Sequence, residues 1–237
     1  MKRLVKAVAV LATMAMPLMA NAQDVVEATV GADVVSNYIW RGQDMGGAAV
    51  QPAVGLSYKG LSLSAWGSYG IMDKNDTKEL DFTLAYTAGN FTIGVTDYYV
   101  VSGAANCPVK YFLYDAHKTM HVFEANLGYD FGKFSINWFT NFAGADGENK
   151  DGDRAYSSYV EFGAPFKLGG LDWEATVGAV PYATSIYADA DGFAVTNMSL
   201  KASKEIAITP TFSVPLFGAL TANPSTQSLF FTAGVSF

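Results

Sequence analysis

Apolar and polar residues alternate at a period of two along most of this chain, and that pattern restricts the fold more than any other feature. Between Phe134 and Phe142 one face carries Phe, Ile, Trp, Thr and Phe, and the other carries Ser, Asn, Phe and Asn. The segments Glu79–Thr87 and Leu171–Ala179 alternate in the same way. Such alternation predicts β-strands with two unlike faces. Because no convincing helical period of about 3.6 residues follows the first segment of the chain, we expect an all-β protein.

The first 22 residues follow a different pattern. A basic start precedes an apolar run from Leu4 to Met19, and the run is followed by Ala20-Asn21-Ala22. This arrangement predicts a secretory signal peptide, residues 1–22, that is cleaved after Ala22. Pro17 interrupts the run, which argues against a membrane anchor, and no cysteine stands at the cleavage point of a lipoprotein. We expect residues 23–237 to form one exported domain.

Connections between the expected strands are of two kinds, and they alternate strictly along the chain. Five short turns and six longer polar loops would join twelve strands, with both termini on the short-turn side. This arrangement predicts an antiparallel, up-and-down transmembrane β-barrel of the bacterial outer membrane. The short turns are expected at Lys59-Gly60, Ala88-Gly89-Asn90, Phe131-Gly132, Leu168-Gly169-Gly170 and Lys204-Glu205, and the longer loops near 42–48, 71–78, 102–118, 144–153, 184–191 and 217–226.

A secreted β-sandwich is the soluble alternative, because its strands alternate too. Its exposed face would be rich in lysine and glutamate, whereas the second face here carries mainly Ser, Thr, Gly, Asn and acids. Hydrophobic residues make up 50% of the chain and charged residues only 16%, which favours a barrel facing lipid. No later apolar run approaches the ~18 residues of a transmembrane helix. A single cysteine, Cys107, cannot form an internal disulfide.

The C-terminal segment is consistent with a barrel. Alternate residues from Leu229 to Phe237 are apolar and the chain ends on an aromatic ring. This resembles the last-strand signature that the outer-membrane barrel-assembly machinery reads. We therefore expect that machinery, outer-membrane lipid and lipopolysaccharide as partners. The formal net charge of −7 argues against nucleic acid as a partner.

The stretch Ser36–Gln43, SNYIWRGQ, places an arginine next to a tryptophan. In a barrel this is expected at the upper end of the first strand, with Tyr38 and Trp40 facing the lipid interface and Arg41 facing the lumen. The predicted aromatic girdle comprises Tyr38, Trp40, Trp138, Trp173 and Phe237.

The same stretch, with VQPAVGLSYKGLSLSAWGS (Val50–Ser68) and KELDFTLAYTAGNFTIGVTDYYV (Lys78–Val100), resembles the TorF-like porin family. The resemblance covers roughly residues 30–100, where family members pair an S-x-Y-x-W-R-G segment with a P-A-V segment and an E-x-D strand. It implies an outer-membrane barrel described as a porin, and it supplies no catalytic residue.

A twelve-stranded lumen is narrow, so its side chains decide whether solutes pass. Acids outnumber bases among the expected lining residues, which predicts a mild preference for cations over anions. Arg41, Glu79 and Asp81 could instead pair with one another as an internal brace, because unpaired buried charges are costly. The predicted channel-lining set is Arg41, Glu79, Asp81, Glu124, Arg154, Glu161, Glu174 and Lys201, with Trp66, Phe139, Tyr159 and Phe230 as bulky neighbours.

Other chemistry has weak support in the sequence. His117 and His121 are the two histidines, and neither has a nearby serine that would suggest a hydrolase, so we predict no enzyme and no metal or other cofactor. The acidic stretch 146–153 does not fit a calcium-binding loop, because Lys150 occupies a ligand position.

Two residues fit the strand pattern poorly. Pro210 falls inside the expected eleventh strand, where a bulge would be needed. Asp97 falls on the lipid face unless a bulge near Thr96 corrects the alternation.

The predicted function is a porin-like outer-membrane channel for passive diffusion of ions or small polar solutes. The alternative is a closed structural or ligand-binding barrel that acts through its extracellular loops.

Overall fold

The computed structural model describes residues 25–73, 75–101, 110–115, 118–210 and 212–237. The predicted signal peptide, Cys107 and His117 lie outside the described residues. Within these ranges no helix is long and apolar enough to cross a membrane.

Twelve antiparallel strands form a closed barrel, as the alternating pattern predicts. A separate two-stranded hairpin, β2 and β3, lies between the first two barrel strands. The strands are β1 (Glu27–Val35), β2 (Tyr38–Trp40), β3 (Gln43–Gly46), β4 (Ala49–Tyr58), β5 (Leu61–Gly70), β6 (Lys78–Ala88), β7 (Phe91–Val101), β8 (His121–Asp130), β9 (Ser135–Gly144), β10 (Ser158–Leu168), β11 (Leu171–Val180), β12 (Ala194–Thr209), β13 (Phe212–Asn223) and β14 (Ser228–Ser236).

The barrel closes where the first and last strands meet. Asp33 pairs with Ser236 and Val35 with Gly234, and the main chains of Ala32 and Phe237 exchange two hydrogen bonds of 2.9 and 3.2 Å. Because β14 also pairs with β13, neither terminal strand presents a free edge at this seam. A closed ladder is one of the two ways in which a backbone can satisfy its polar groups in lipid.

The two faces of the wall differ as the sequence predicts. On β14, Phe231 is 68% exposed on the outside, whereas its neighbour Thr232 is 9% exposed on the inside. On β6, Leu80, Phe82 and Leu84 are exposed. The outer surface is therefore a broad apolar belt and the inner surface is polar, as in a membrane-spanning barrel.

The predicted first strand is too long. Barrel strand β1 ends at Val35, and the chain then bends inward to form the hairpin instead of continuing to Arg41. Tyr38 is 5% exposed and packs on Trp66, with ring centroids 5.6 Å apart. The girdle assignment of Tyr38 and Trp40 is therefore wrong, because both rings lie inside the barrel. Alternation continued past the bend at Ser36-Asn37 assigns these rings to the outer face.

The predicted turn at Lys204-Glu205 is also wrong. Strand β12 continues to Thr209, and Pro210 lies in the turn rather than inside a strand. Proline suits a turn because it has no N–H to donate to a ladder. Strand β13 correspondingly extends to Asn223, so residues 224–227 replace the longer loop predicted near 217–226.

Candidate functional site

The β2–β3 hairpin crosses the lumen near the end of the barrel that carries the longer loops. Its turn is Arg41-Gly42, and both residues have positive φ, 50° and 80°. A type I′ hairpin turn requires this conformation at both central positions. The turn packs directly against the wall at β12 and β13, where the Asn223 amide donates to Gly42 O at 3.0 Å. A Cβ on Gly42 would lie 1.8 Å from the carbonyl oxygen of Thr196, so only glycine fits at this contact.

Arg41 makes a buried two-pronged ion pair with Glu124 of β8. Its Nη1 and Nη2 lie 2.6 and 3.0 Å from the two carboxylate oxygens, and the residues are 5% and 0% exposed. Glu124 also accepts hydrogen bonds from the hydroxyls of Tyr98, at 2.8 Å, and Tyr187, at 3.1 Å. Four donors therefore satisfy the Glu124 carboxylate, as a buried ion pair requires.

Aromatic rings surround the guanidinium group. Its Cζ lies 4.6 Å from the centroid of Trp40, 4.2 Å from Phe139, 4.7 Å from Tyr159 and 5.5 Å from Tyr187. Cation–π contacts are strongest when water is excluded, as it is here. The hairpin tip is therefore held by charge, hydrogen bonds and ring contacts together.

The loop between β11 and β12, residues 181–193, supplies Tyr187. The main-chain N–H of Ala188 donates to Gln43 Oε1 at 3.1 Å, which joins this loop to the hairpin. Burial raises the pKa of the Tyr187 hydroxyl, so this group stays protonated and can donate to Glu124. We call the hairpin and this loop together the outer plug.

A tyrosine of the wall extends the polar network below Arg41. Tyr159 donates to Glu161 at 3.0 Å and accepts from the Asn197 amide at 3.1 Å. Gly178 makes room for it, because a Cβ there would lie 1.8 Å from the Tyr159 hydroxyl. The network therefore spans three neighbouring strands of the barrel.

A cavity of about 700 Å³, including the part open to solvent, lies beside the hairpin and continues toward the short-turn end. Glu174 and Lys201, which are direct partners on neighbouring strands, line it together with Thr176, Ser199 and Thr221. Arg41 and Gly42 border the same cavity. The inside of the barrel is thus a cavity with both charged and apolar lining residues next to a packed plug.

The predicted lining residues fall into separate groups. Arg41 and Glu124 come together, but Arg41 does not pair with Glu79 and Asp81 as the brace hypothesis proposes. Glu79 and Asp81 are buried on β6, 8% and 1% exposed, beside Tyr38. Arg154 lies in the connection before β10, where it donates to Gly144 O at 3.1 Å, and not on a barrel strand.

Sequence reasoning misses two partners of Glu124. Tyr98 is on the inner face of β7 by alternation, but nothing in its neighbours predicts a contact with Glu124. Tyr187 lies in a segment predicted to be a longer polar loop, and no sequence signal indicates that the loop folds inward. Trp138, Trp173 and Phe237 lie on the outer face, where a girdle would be. Trp138 and Phe237 are 42% and 66% exposed.

Asp97 remains on the outer face, and the predicted bulge near Thr96 is absent because β7 and β8 pair without interruption there. Its carboxylate lies 2.7 Å from Nδ1 of His121, which is also on the outer face. Nε2 of His121 lies 2.6 Å from Tyr111 O, and Tyr114 stacks on the ring at 4.4 Å. A loop segment thus covers a charged pair that would otherwise face lipid.

Among the described residues, no group of three or more His, Cys, Asp or Glu side chains is placed to hold a metal ion. In the acidic stretch 146–153, Asp146 accepts from the main-chain N–H groups of Gly147 and Ser157. It therefore organises its own loop.

No protein-family model and no curated protein matches this sequence, so the resemblance to TorF-like porins stays a prediction. Three solved structures are similar in fold. The NanC porin is 9% identical with a TM-score of 0.48, covering 88% of this chain and 98% of its own. The KdgM porin is 7% identical with a TM-score of 0.45, covering 90% and 98%. OmpF of Salmonella typhi in complex with daunomycin is 12% identical with a TM-score of 0.36, covering 90% and 97%. Similarity at this level does not transfer a function to this chain.

Proposed function

We propose that this protein is an outer-membrane channel for passive diffusion of ions or small polar solutes. The observation that carries the proposal is a closed twelve-stranded barrel with an apolar outer face, a largely polar inner face and an internal cavity. In a water-filled lumen such polar walls can hydrogen-bond to a passing hydrated solute. The surrounding lipid, lipopolysaccharide and the assembly machinery are proposed partners, the last through the alternating apolar residues of β14.

In this conformation the outer plug is proposed to close the lumen. Arg41, Glu124, Tyr98 and Tyr159 are each at most 5% exposed, so the plug is packed against this part of the wall. Conduction therefore requires the hairpin to move away from the wall. The channel is proposed to open briefly from this closed state.

A mild cation preference is part of the proposal. Glu124 is neutralised by Arg41, and Glu174 lies opposite Lys201. Glu79, Asp81 and Glu161 add further acidic side chains on the inner face. A lumen with more acids than bases favours cations.

The same plug favours a second candidate, a permanently closed barrel that acts through its outer loops. An enzyme has less support, because both ring nitrogens of His121 are engaged by Asp97 and Tyr111, on the outside of the barrel. That histidine is not free to act as a base in the lumen.

Planar-bilayer recording of the refolded barrel separates the two candidates. The channel proposal predicts discrete conductance steps of low open probability and, in a salt gradient, a reversal potential that indicates cation preference. Glu161→Gln should reduce that preference, whereas Glu205→Gln, an exposed residue near the short-turn end, should leave it unchanged. A folded barrel that never conducts would favour the closed alternative.

A further inference from the structure

Glu79 and Asp81 form an isolated acidic pair inside the barrel. They stand two residues apart on β6, so both side chains face the lumen, and their carboxyl groups lie within hydrogen-bonding reach of each other. The Tyr38 hydroxyl contacts the Glu79 carboxyl. Trp66 pairs with Asp81 on the neighbouring strand, and its ring packs on Tyr38.

The oxygens of this pair lack a full set of partners. Glu79 Oε2 and both carboxylate oxygens of Asp81 are buried and have no hydrogen-bond partner of good geometry among the described residues, although the main-chain N–H of Tyr99 lies close to Asp81. Arg41 is not available to them, because Glu124 occupies both of its terminal nitrogens. The charged groups that act most strongly on Asp81 are Glu79 and Asp97, both acids. Buried carboxylates without compensation are costly, so a missing positive partner is expected.

We propose that Glu79 and Asp81 bind a divalent cation of the calcium type. Three carboxylate oxygens are hard ligands, and two negative charges match a divalent ion. Calcium tolerates irregular oxygen sets completed by water, whereas magnesium demands near-ideal octahedral geometry and zinc favours nitrogen and sulfur ligands. Since only two carboxylates contribute, the expected dissociation constant lies at the weak end of protein calcium sites, roughly 10⁻⁴ to 10⁻³ M.

Tyr38 gives the site a connection to the outer plug. It belongs to β2, and through its contact with Glu79 it is a positioning residue for the ion. The cavity beside the hairpin reaches Tyr38 and Gln51, and Tyr38 contacts Glu79. A bound ion would hold the base of the hairpin against β6. Binding at this site goes beyond the channel proposal and does not require the barrel to conduct.

Terbium luminescence tests the site in the refolded full-length barrel in detergent micelles. Terbium replaces calcium in oxygen-ligand sites and is excited by energy transfer from nearby tryptophan and tyrosine. We expect sensitised emission that saturates at one ion per barrel and is displaced by calcium. The double variant Glu79→Gln/Asp81→Asn should weaken binding by at least ~10-fold, as loss of groups around a metal does. Tyr38→Phe should weaken it less.

Two controls keep the test decisive. Trp66→Phe should lower the sensitised emission while calcium binding, measured by titration calorimetry, stays unchanged, and it retains both carboxylates if the double variant fails to fold. Asp151→Asn, in the outer acidic loop, should leave both readouts unchanged. The proposal is overturned if wild type shows no saturable binding, if the folded double variant binds normally, if Trp66→Phe leaves the emission unaltered, or if Asp151→Asn abolishes binding.

Discussion

At the scale of single residues, the plug depends on Arg41 more than on any other side chain. It contributes the positive charge for Glu124, the centre of the aromatic cage and one positive-φ residue of the turn. A non-glycine residue in the left-handed region carries a conformational cost that its surroundings must compensate. Here the ion pair and four rings do so.

Breaking this ion pair should destabilise the barrel strongly. Glu124→Gln leaves Arg41 buried without its countercharge, and we expect the free energy of unfolding to fall by about 3 kcal/mol. Denaturant unfolding in detergent micelles measures it, with exposed Glu205→Gln as the control. The double variant Arg41→Met/Glu124→Leu should lose less than Glu124→Gln alone, because no charge stays buried. Equal or larger loss in the double variant would contradict the ion-pair argument.

On the outer face, Asp97 and His121 should fix the loop segment 110–115. Both ring nitrogens of His121 are engaged, Nδ1 by Asp97 and Nε2 by the carbonyl of Tyr111, which ties this segment to the wall. Asp97→Asn weakens this pair, so trypsin should cleave faster after Lys110 and Lys118. Cleavage after Lys150, in a separate loop, serves as the internal control. Unchanged cleavage after the first two lysines would show that the pair does not hold the loop.

At the scale of elements, the hairpin turn is defined by the contact of Gly42 with β12. Gly42→Ala and Gly132→Ala both place alanine at positive φ, 80° and 85°, at a shared cost of about 1–2 kcal/mol. Nothing lies within 4 Å of a Cβ at Gly132, whereas Thr196 O blocks one at Gly42. Denaturant unfolding should therefore show that Gly42→Ala lowers the free energy of unfolding by roughly 1–3 kcal/mol more than Gly132→Ala does. Equal losses of stability in the two variants would mean that the hairpin turn is not in close contact with the wall.

The sequence predicts the barrel strands well because each has one apolar and one polar face. It fails where the chain leaves the wall. Tyr38 and Trp40 continue the alternation of β1 in the sequence, but the bend at Ser36-Asn37 turns them inward. The inner position of Glu124 follows from alternation, whereas Arg41 lies inside because the whole hairpin does. Their pairing joins residues 83 positions apart and has no local signal. The predicted strand ends near Pro210 are wrong because several consecutive residues there are compatible with either a turn or a strand.

At the scale of the whole molecule, two layers of interaction account for the structure. The backbone ladder and the apolar outer face determine the barrel, while charges and rings inside determine the plug. Among the described residues, side-chain contacts and the hairpin tip join the plug to the wall, outside the barrel ladder. We therefore propose that the plug can move without disrupting the ladder, so that a stable barrel could have the closed state and the proposed open state.

Replacing the hairpin tests this separation most directly. A variant in which residues 38–46 become a short Gly-Ser linker keeps every barrel strand but removes Arg41 and the turn. In planar-bilayer recordings we expect it to stay open for longer and to conduct more current per step than wild type. A variant that folds, as judged by heat-modifiable migration in gels, but conducts like wild type would contradict the claim that this hairpin closes the lumen.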